Sequence, residues 1–367
     1  MFVAALAGAV LGQKAGLAGQ ASGWLALTRD TLNQVQAGVR YVPSLSLSLP
    51  PRLDAELSVN GFASAQARPT DSIEADARVR PYRLWARFST ARFEARAGLQ
   101  KINFGSATLL RPLMWFDRID PRDPLALTDG VYGLLGRYYF QNNANVWAWG
   151  LLGNSVAKGW EAYGSDPDVP EFGGRVQLPV PRGEVGITGH HRTASVVWGD
   201  MPTLPPDTCP AAESRMGLDG KWDVGVGLCF EVTVGKMSSS HVPFPWQRME
   251  TMGLDYTFGL GSGLGVLAEH LVFDSGAQAV ESGQRGQLSA LMLGLPLGLV
   301  DNLRGFVYFD WKGHGLYRFL SWQRTLDNWI FNVAAFWNPD QAGVVAGQPA
   351  SGAAAGKGLQ LMVVFNH

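Results

Sequence analysis

"DVGVGLCFEVTVG", Asp223 to Gly235, carries the pattern on which the fold turns. In an extended chain, successive side chains point to opposite faces. Val224, Val226, Leu228, Phe230, Val232 and Val234 therefore share one face, and Gly225, Gly227, Cys229, Glu231 and Thr233 share the other. One face is wholly apolar and the other is small or polar. A strand in the wall of a lipid-embedded barrel needs this arrangement, with its apolar face toward lipid and its polar face toward the interior.

"NWIFNVAAFWN", Asn328 to Asn338, repeats the pattern, with Trp329, Phe331, Val333, Ala335 and Trp337 on one face. A strand tilted by about 40° separates two such tryptophans by roughly 20 Å along the membrane normal, close to the ~25 Å apolar band between aromatic girdles. Composition agrees with this reading. The 367 residues include 45 glycines and 13 tryptophans, and only 17% are charged, against about 25% in ordinary soluble domains. Beyond the N-terminal stretch no run of apolar residues is long enough for a membrane helix, whereas an alternating barrel hides its apolarity from such a search. A formal net charge of −1 gives no electrostatic reason to expect nucleic acid as a partner.

Turn-forming clusters punctuate the alternation at two kinds of interval. Short turns are read around Pro50, Ala91, Asn142, Arg182, Lys221, Gly261, Val300 and Asp327. Longer connections fall between them, giving an all-β, transmembrane, antiparallel up-and-down barrel of about 18 strands, with about 16 as the alternative count. An even count places both termini on the short-turn side. Met1 to Ala21, "MFVAALAGAVLGQKAGLAGQA", has the apolar core and small-residue end of an export signal but no basic start; the other reading is an N-terminal tail. The barrel domain is then expected over residues 22–367.

One long connection interrupts the rhythm with chemistry. "KINFGSATLLRPLMWFDRIDPRDPLALTDG", Lys101 to Gly130, contains the third long connection, read as Gly105 to Gly130, which carries Asp117, Arg118, Asp120, Arg122 and Asp123. The strands before it place Arg78, Arg80, Arg83, Arg87, Arg92, Glu94 and Arg96 on the inward register, with Pro81 expected to shift that register through a bulge. Arginine facing lipid near the midplane would cost about 2–4 kcal/mol. Arg137, Arg175, Arg192, Arg215, Lys221 and Arg304 also fall on inward faces, against Asp219, Glu231, Asp255 and Asp310. A barrel of this width is too wide for wall side chains to fill, so an aqueous channel or a plug is expected inside it.

The strand count, the loop rhythm and the neighbourhood of "GLQKINFG", "DRIDPRDP" and "GVYGLLGRYYF" resemble bacterial outer-membrane porins and the larger alginate-export-type channels. "LQLMVVFNH" resembles the last strand of such barrels, except that His367 stands where an aromatic residue is usual. The resemblance implies that the long third connection folds into the lumen, with its acids facing the preceding arginines across a constriction, and that small hydrophilic solutes diffuse passively through the outer membrane; the basic wall implies a mild anion preference. The alternative is a plugged barrel in the same lipid, serving as scaffold or assembly partner for another protein at its loops or periplasmic turns.

Other chemistry has little support. No cofactor or metal is expected, and no catalytic residue is assigned. His190 and His191 are adjacent on a strand and so point to opposite faces, His190 inward with Arg192. Cys209 is placed in an outer loop and Cys229 on an inward strand position; a disulfide between them would pin that loop inside the barrel if their Cα atoms came within ~7 Å.

Overall fold

Among the described residues, eighteen strands form one antiparallel sheet that closes on itself. In chain order they are β1 Lys14–Arg29, β2 Asn33–Leu49, β3 Leu53–Ala67, β4 Glu74–Ser89, β5 Phe93–Gln100, β6 Val131–Tyr139, β7 Asn145–Leu151, β8 Glu171–Val180, β9 Gly183–Trp198, β10 Asp207–Asp223, β11 Gly227–Ser238, β12 Trp246–Phe258, β13 Leu264–Gly276, β14 Gln284–Leu297, β15 Asp301–Asp310, β16 Gly315–Leu326, β17 Trp329–Trp337 and β18 Lys357–Asn366. Each strand pairs with its sequence neighbours, and β1 pairs with both β2 and β18, so no sheet edge is left open. This computed structural model describes residues 14–29, 33–49, 51–68, 73–120, 122–198, 207–339 and 356–367. The stretch read as the core of an export signal falls largely on residues 1–13, outside the described residues.

Alternation places lipid-type residues outward along the whole ring. In β11, Leu228 is exposed, while Cys229, Glu231 and Thr233 are buried; in β17, Trp329, Phe331, Val333 and Trp337 are exposed on one face. β18 repeats this, with Leu359, Leu361 and Val363 outward and Met362 and Val364 buried. The expected bulge is present: Ser58 pairs with Arg83 and Val59 with Pro81, which leaves Tyr82 as the extra residue. It keeps the arginines inward on both sides of the shift.

Three expectations are corrected. The barrel sequence begins before residue 22, because Lys14 to Ala21 already pair with Ser48 to Tyr41 in β1 and β2. The turn read around Lys221 lies instead at residues 224–226, where Gly225 takes a positive φ of 95° that glycine adopts without strain. Consequently Val224 and Val226 belong to a turn, and β10 runs on to Asp223. Cys209 and Cys229 are both free thiols on strands. Cys229 sits opposite Lys221 of β10, and Cys209 lies twelve residues further along that strand, about 40 Å at ~3.3 Å per residue, so no disulfide can join them.

Candidate functional site

The segment from Lys101 to Gly130 leaves the wall after β5 and reaches strands six to eight places further round the ring. Two glutamates receive it. Glu231 of β11 accepts hydrogen bonds from the backbone N–H groups of Ala107 (2.8 Å) and Leu113 (2.9 Å). Glu269 of β13 accepts from those of Thr108 (2.7 Å), Leu109 (2.9 Å) and Leu110 (2.6 Å). Between them, the Thr251 hydroxyl of β12 donates to the Leu110 carbonyl at 2.8 Å. All three side chains belong to the buried register, opposite the exposed apolar face, so the segment crosses the barrel interior. Gly105, with φ of 100°, lies so close that an added Cβ would stand 2.3 Å from a Glu231 carboxylate oxygen.

The crossing segment is packed on two sides. Toward β6–β9, Phe104 stacks on Trp149 at 5.7 Å between ring centres, and Trp115 and Phe116 meet Phe104 edge-on; Ile102, Leu113, Val131, Leu135 and Leu151 complete that cluster. Toward β12–β16, Leu109 and Leu110 enter a second cluster with Met249, Leu271, Phe306 and Tyr308. Trp115 and Phe116 thus anchor the segment to the wall.

The predicted charged residues divide into groups that do different things. Asp117, 1% exposed, pairs with Arg111 of its own segment at 3.3 Å, and Asp120 pairs with Arg122 at 2.8 Å. Contrary to expectation, Asp117 and Asp120 therefore do not face the arginine ladder before them; both ion pairs lie within the segment itself. Arg83 donates instead to the backbone carbonyls of Thr128 (2.9 Å) and Tyr82 (2.6 Å), holding the returning end of the segment. Arg92 lies exposed in the β4–β5 turn and is not part of an inward strand face. Nearby, Arg87 pairs with Asp54 (2.8 Å), Arg96 with Glu94 (3.1 Å) and Arg137 with Glu94 (3.7 Å), while Arg96 and Arg137 also lie over the rings of Trp85 and Trp147. This group lies toward the short-turn end. Arg78 pairs with Asp76 in an open setting.

The residue that faces Asp123 was absent from the sequence reading. It is Arg40 of β2, whose guanidinium lies over Phe62 (5.1 Å) and Trp24 (5.9 Å), with Nε lacking a hydrogen-bond partner. Arg40 and Asp123 line two cavities at once. One, of about 550 Å³, also has Asn60, Arg80, Arg118, Asp129 and Lys158 in its walls. The other, of about 290 Å³, adds Trp24, Asp120, Arg122 and Phe336. Burial raises the Asp123 carboxyl above its ordinary range, opposed by the Leu125 N–H and by Arg40. Burial lowers the Lys158 ammonium, whose Nζ donates to the Gly130 carbonyl at 2.9 Å. Even with Lys158 set aside, the larger cavity has three guanidiniums against two carboxylates.

The inward arginines of the opposite wall are balanced. Arg175 forms a two-pronged pair with Asp219 at 2.5 and 2.9 Å. Arg192 and Arg215 share Glu161 and Glu213, with contacts of 3.0 and 2.5 Å for Arg192 and 2.6 Å for Arg215 to Glu161. Glu161 comes from the β7–β8 connection, which is why weighing strand residues alone overestimated the positive excess. His190 accepts from the Trp149 indole N–H at Nδ1 (3.3 Å), so Nε2 carries the proton and donates to Glu171 at 3.1 Å. His191 turns the other way, to Ser214.

No family model matches the chain, and no curated protein matches it. Solved structures do. OccK2 (OpdF) of Pseudomonas aeruginosa superposes with a TM-score of 0.61 at 11% identity, covering 96% of this chain and 97% of that one. OccAB1 of Acinetobacter baumannii gives 0.59 at 8% identity, over 98% and 97% of the two chains. An anion-selective porin from Comamonas acidovorans gives 0.51 at 11% identity, over 97% and 100%. The fold is that of bacterial outer-membrane porins. At these identities the likeness concerns the porin fold, and the role of each charged residue rests on its own geometry.

Proposed function

We propose that this porin-fold barrel is an outer-membrane channel for the passive diffusion of small hydrophilic solutes, with a mild anion preference. The path runs between the third connection and the wall formed by β2–β4. The observation that carries the reading is the meeting of two water-accessible cavities at Arg40 and Asp123, with Arg80 and Arg118 beside them. Charged groups at a narrow point set ion preference, and here guanidiniums outnumber carboxylates. The porin from Comamonas is described as anion-selective, which is consistent with the same charge logic.

Planar-bilayer recording of the purified protein tests this directly. Stable single-channel steps are expected, with reversal potentials under a salt gradient that favour anions. A folded barrel that stays silent would reject the channel reading and favour the plugged scaffold or assembly partner.

Acidification supplies an independent check. Because the Asp123 carboxyl is raised, it protonates at a higher pH than an ordinary carboxylate. As pH falls through that range, the narrow point loses a negative charge opposite Arg40. Anion preference is expected to strengthen on acidification in the wild type, and this step should vanish in Asp123→Asn; a pH response that is identical in both would show that Asp123 does not border the path.

A further inference from the structure

Where the third connection leaves the wall, it leaves a strand edge behind. β5 ends at Gln100 and pairs with β4 from Leu84 to Ser89. Above that level the run from Glu74 to Arg83 pairs with β3, and among the described residues no backbone hydrogen bond meets its other side. A similar overhang on β9 is closed. Beyond His191 the pairing of β9 with β8 stops, but there the Asp166 N–H donates to the Thr193 carbonyl at 2.8 Å and the Ser195 N–H to the Gly164 carbonyl at 2.9 Å. On β4 the stretch from Glu74 to Pro81 stays open over about 26 Å, at ~3.3 Å per residue. It stands on the long-connection side, which faces outside in outer-membrane barrels.

Backbone and side chains of this run are both arranged for a further strand. Proline is tolerated in a strand where its missing N–H faces away from the ladder, so Pro81 turns that side to the open edge. Backbone groups alternate along a strand, and Val79, Ala77 and Ala75 therefore aim their N–H and C=O groups the same way. Their side chains form a small apolar outward row. The other row is Glu74, Asp76, Arg78 and Arg80, and β3 sets Gln66, Ser64, Phe62 and Asn60 opposite them. None of these four β3 residues is charged. Within the run, Asp76 and Arg78 pair with each other at exposed positions. Cross-strand neighbours supply the charge pairs that stabilise a sheet, and for this row the vacant neighbours lie on the open side. Charges and a proline protect an edge against indiscriminate pairing, but here the signs are segregated, two acids before two bases. That order selects an antiparallel strand whose acids meet Arg78 and Arg80 and whose bases meet Glu74 and Asp76.

We infer that this edge receives, by strand addition, an extended segment of a partner protein outside the cell. The segment has small apolar residues on one face and two acids followed by two bases on the other. The site lies on the rim of the wall, goes beyond the diffusion reading and does not require the channel to conduct.

β4 itself has the required pattern, so the end-blocked peptide "IEADARVR", Ile73 to Arg80, is the probe. Laid antiparallel about Ala77, it sets its acids against Arg78 and Arg80. Fluorescence anisotropy of the labelled peptide with the full-length barrel in detergent should show saturable binding. The same peptide with its Asp76 and Arg78 exchanged mismatches half of the charge pairs in either direction and should bind about tenfold more weakly. N-methylation at the alternate residues that face β4 prevents the ladder and should abolish binding. In the barrel, Ala77→Pro removes an N–H from the open side without touching the ladder to β3, and should weaken binding about tenfold, the equivalent of one lost hydrogen bond; heat-modifiable gel mobility reports whether the variant remains folded. No saturable binding, or binding indifferent to N-methylation or to Ala77→Pro, would overturn the inference. A barrel that dimerises in detergent and is dispersed by the peptide would put a second copy on the edge and overturn the assignment to a separate partner. Conductance is not read in this experiment, so a silent barrel that binds the peptide would sink the channel proposal alone.

Discussion

Replacing Glu231 and Glu269 together by alanine should free the Lys101–Gly130 segment and raise single-channel conductance severalfold. These two side chains accept five backbone N–H groups from the Ala107–Leu113 stretch. Each donor left unmet in a buried setting costs ~1–3 kcal/mol, and donors sharing one acceptor are not independent, so the total is less than a simple sum. The loss still exceeds what one loop conformation can absorb, and the segment should move or fluctuate. Glu269→Ala alone removes three acceptor contacts and Glu231→Ala two, so the former should widen the path more. Glutamine at either position keeps one carbonyl acceptor and should fall between alanine and wild type. The aromatic cluster around Phe104 holds the other flank, which leaves the barrel itself folded. Bilayer recording together with trypsin cleavage at Arg118 or Arg122 measures both consequences; unchanged conductance and continued resistance to trypsin would show that other contacts hold the segment in place.

Reversing charge at Arg40 and Arg80 should convert the preference from anions to cations. Arg40→Glu places two carboxylates, residue 40 and Asp123, where the two cavities meet, and the low-dielectric setting amplifies each charge. Arg80→Glu removes a second guanidinium from the same cavity. Arg96→Glu is the informative control. Arg96 is paired with Glu94 at 3.1 Å and stacked on Trp85 at 4.6 Å, and it does not line either cavity at Arg40. Its reversal should change selectivity much less. Equal effects at Arg40 and Arg96 in reversal-potential measurements would move the narrow point toward the short-turn end.

Much of the architecture was legible because lipid acts on each strand locally. An outward residue must be apolar whatever the strand pairs with, so the period of two in Leu228–Val234 or Trp329–Trp337 needs no knowledge of the rest of the chain. Turn chemistry is local too, and it gave the strand number, the position of the third connection and the shift near Pro81. The miss at Lys221 followed from reading Val224 and Val226 as strand residues, since a valine-glycine turn mimics alternation. Glu231 was recognised as inward, but its task was not. Glu269 shares its face with Leu267 and Leu271 in "LAEHLVF", so alternation did not mark that face as inward, and nothing there says what Glu269 holds.

Sequence by itself determined the outward face, the number of strands and which connection is long enough to enter the lumen, since each depends on neighbours within a few positions. Only the tertiary structure decided where that connection lands, that carboxylates and not arginines receive it, and that Arg40 faces Asp123. Those contacts join residues more than eighty positions apart along the chain. Ring closure and the filling of a wide interior bring them together, and no local spacing encodes which inward side chains will meet across it.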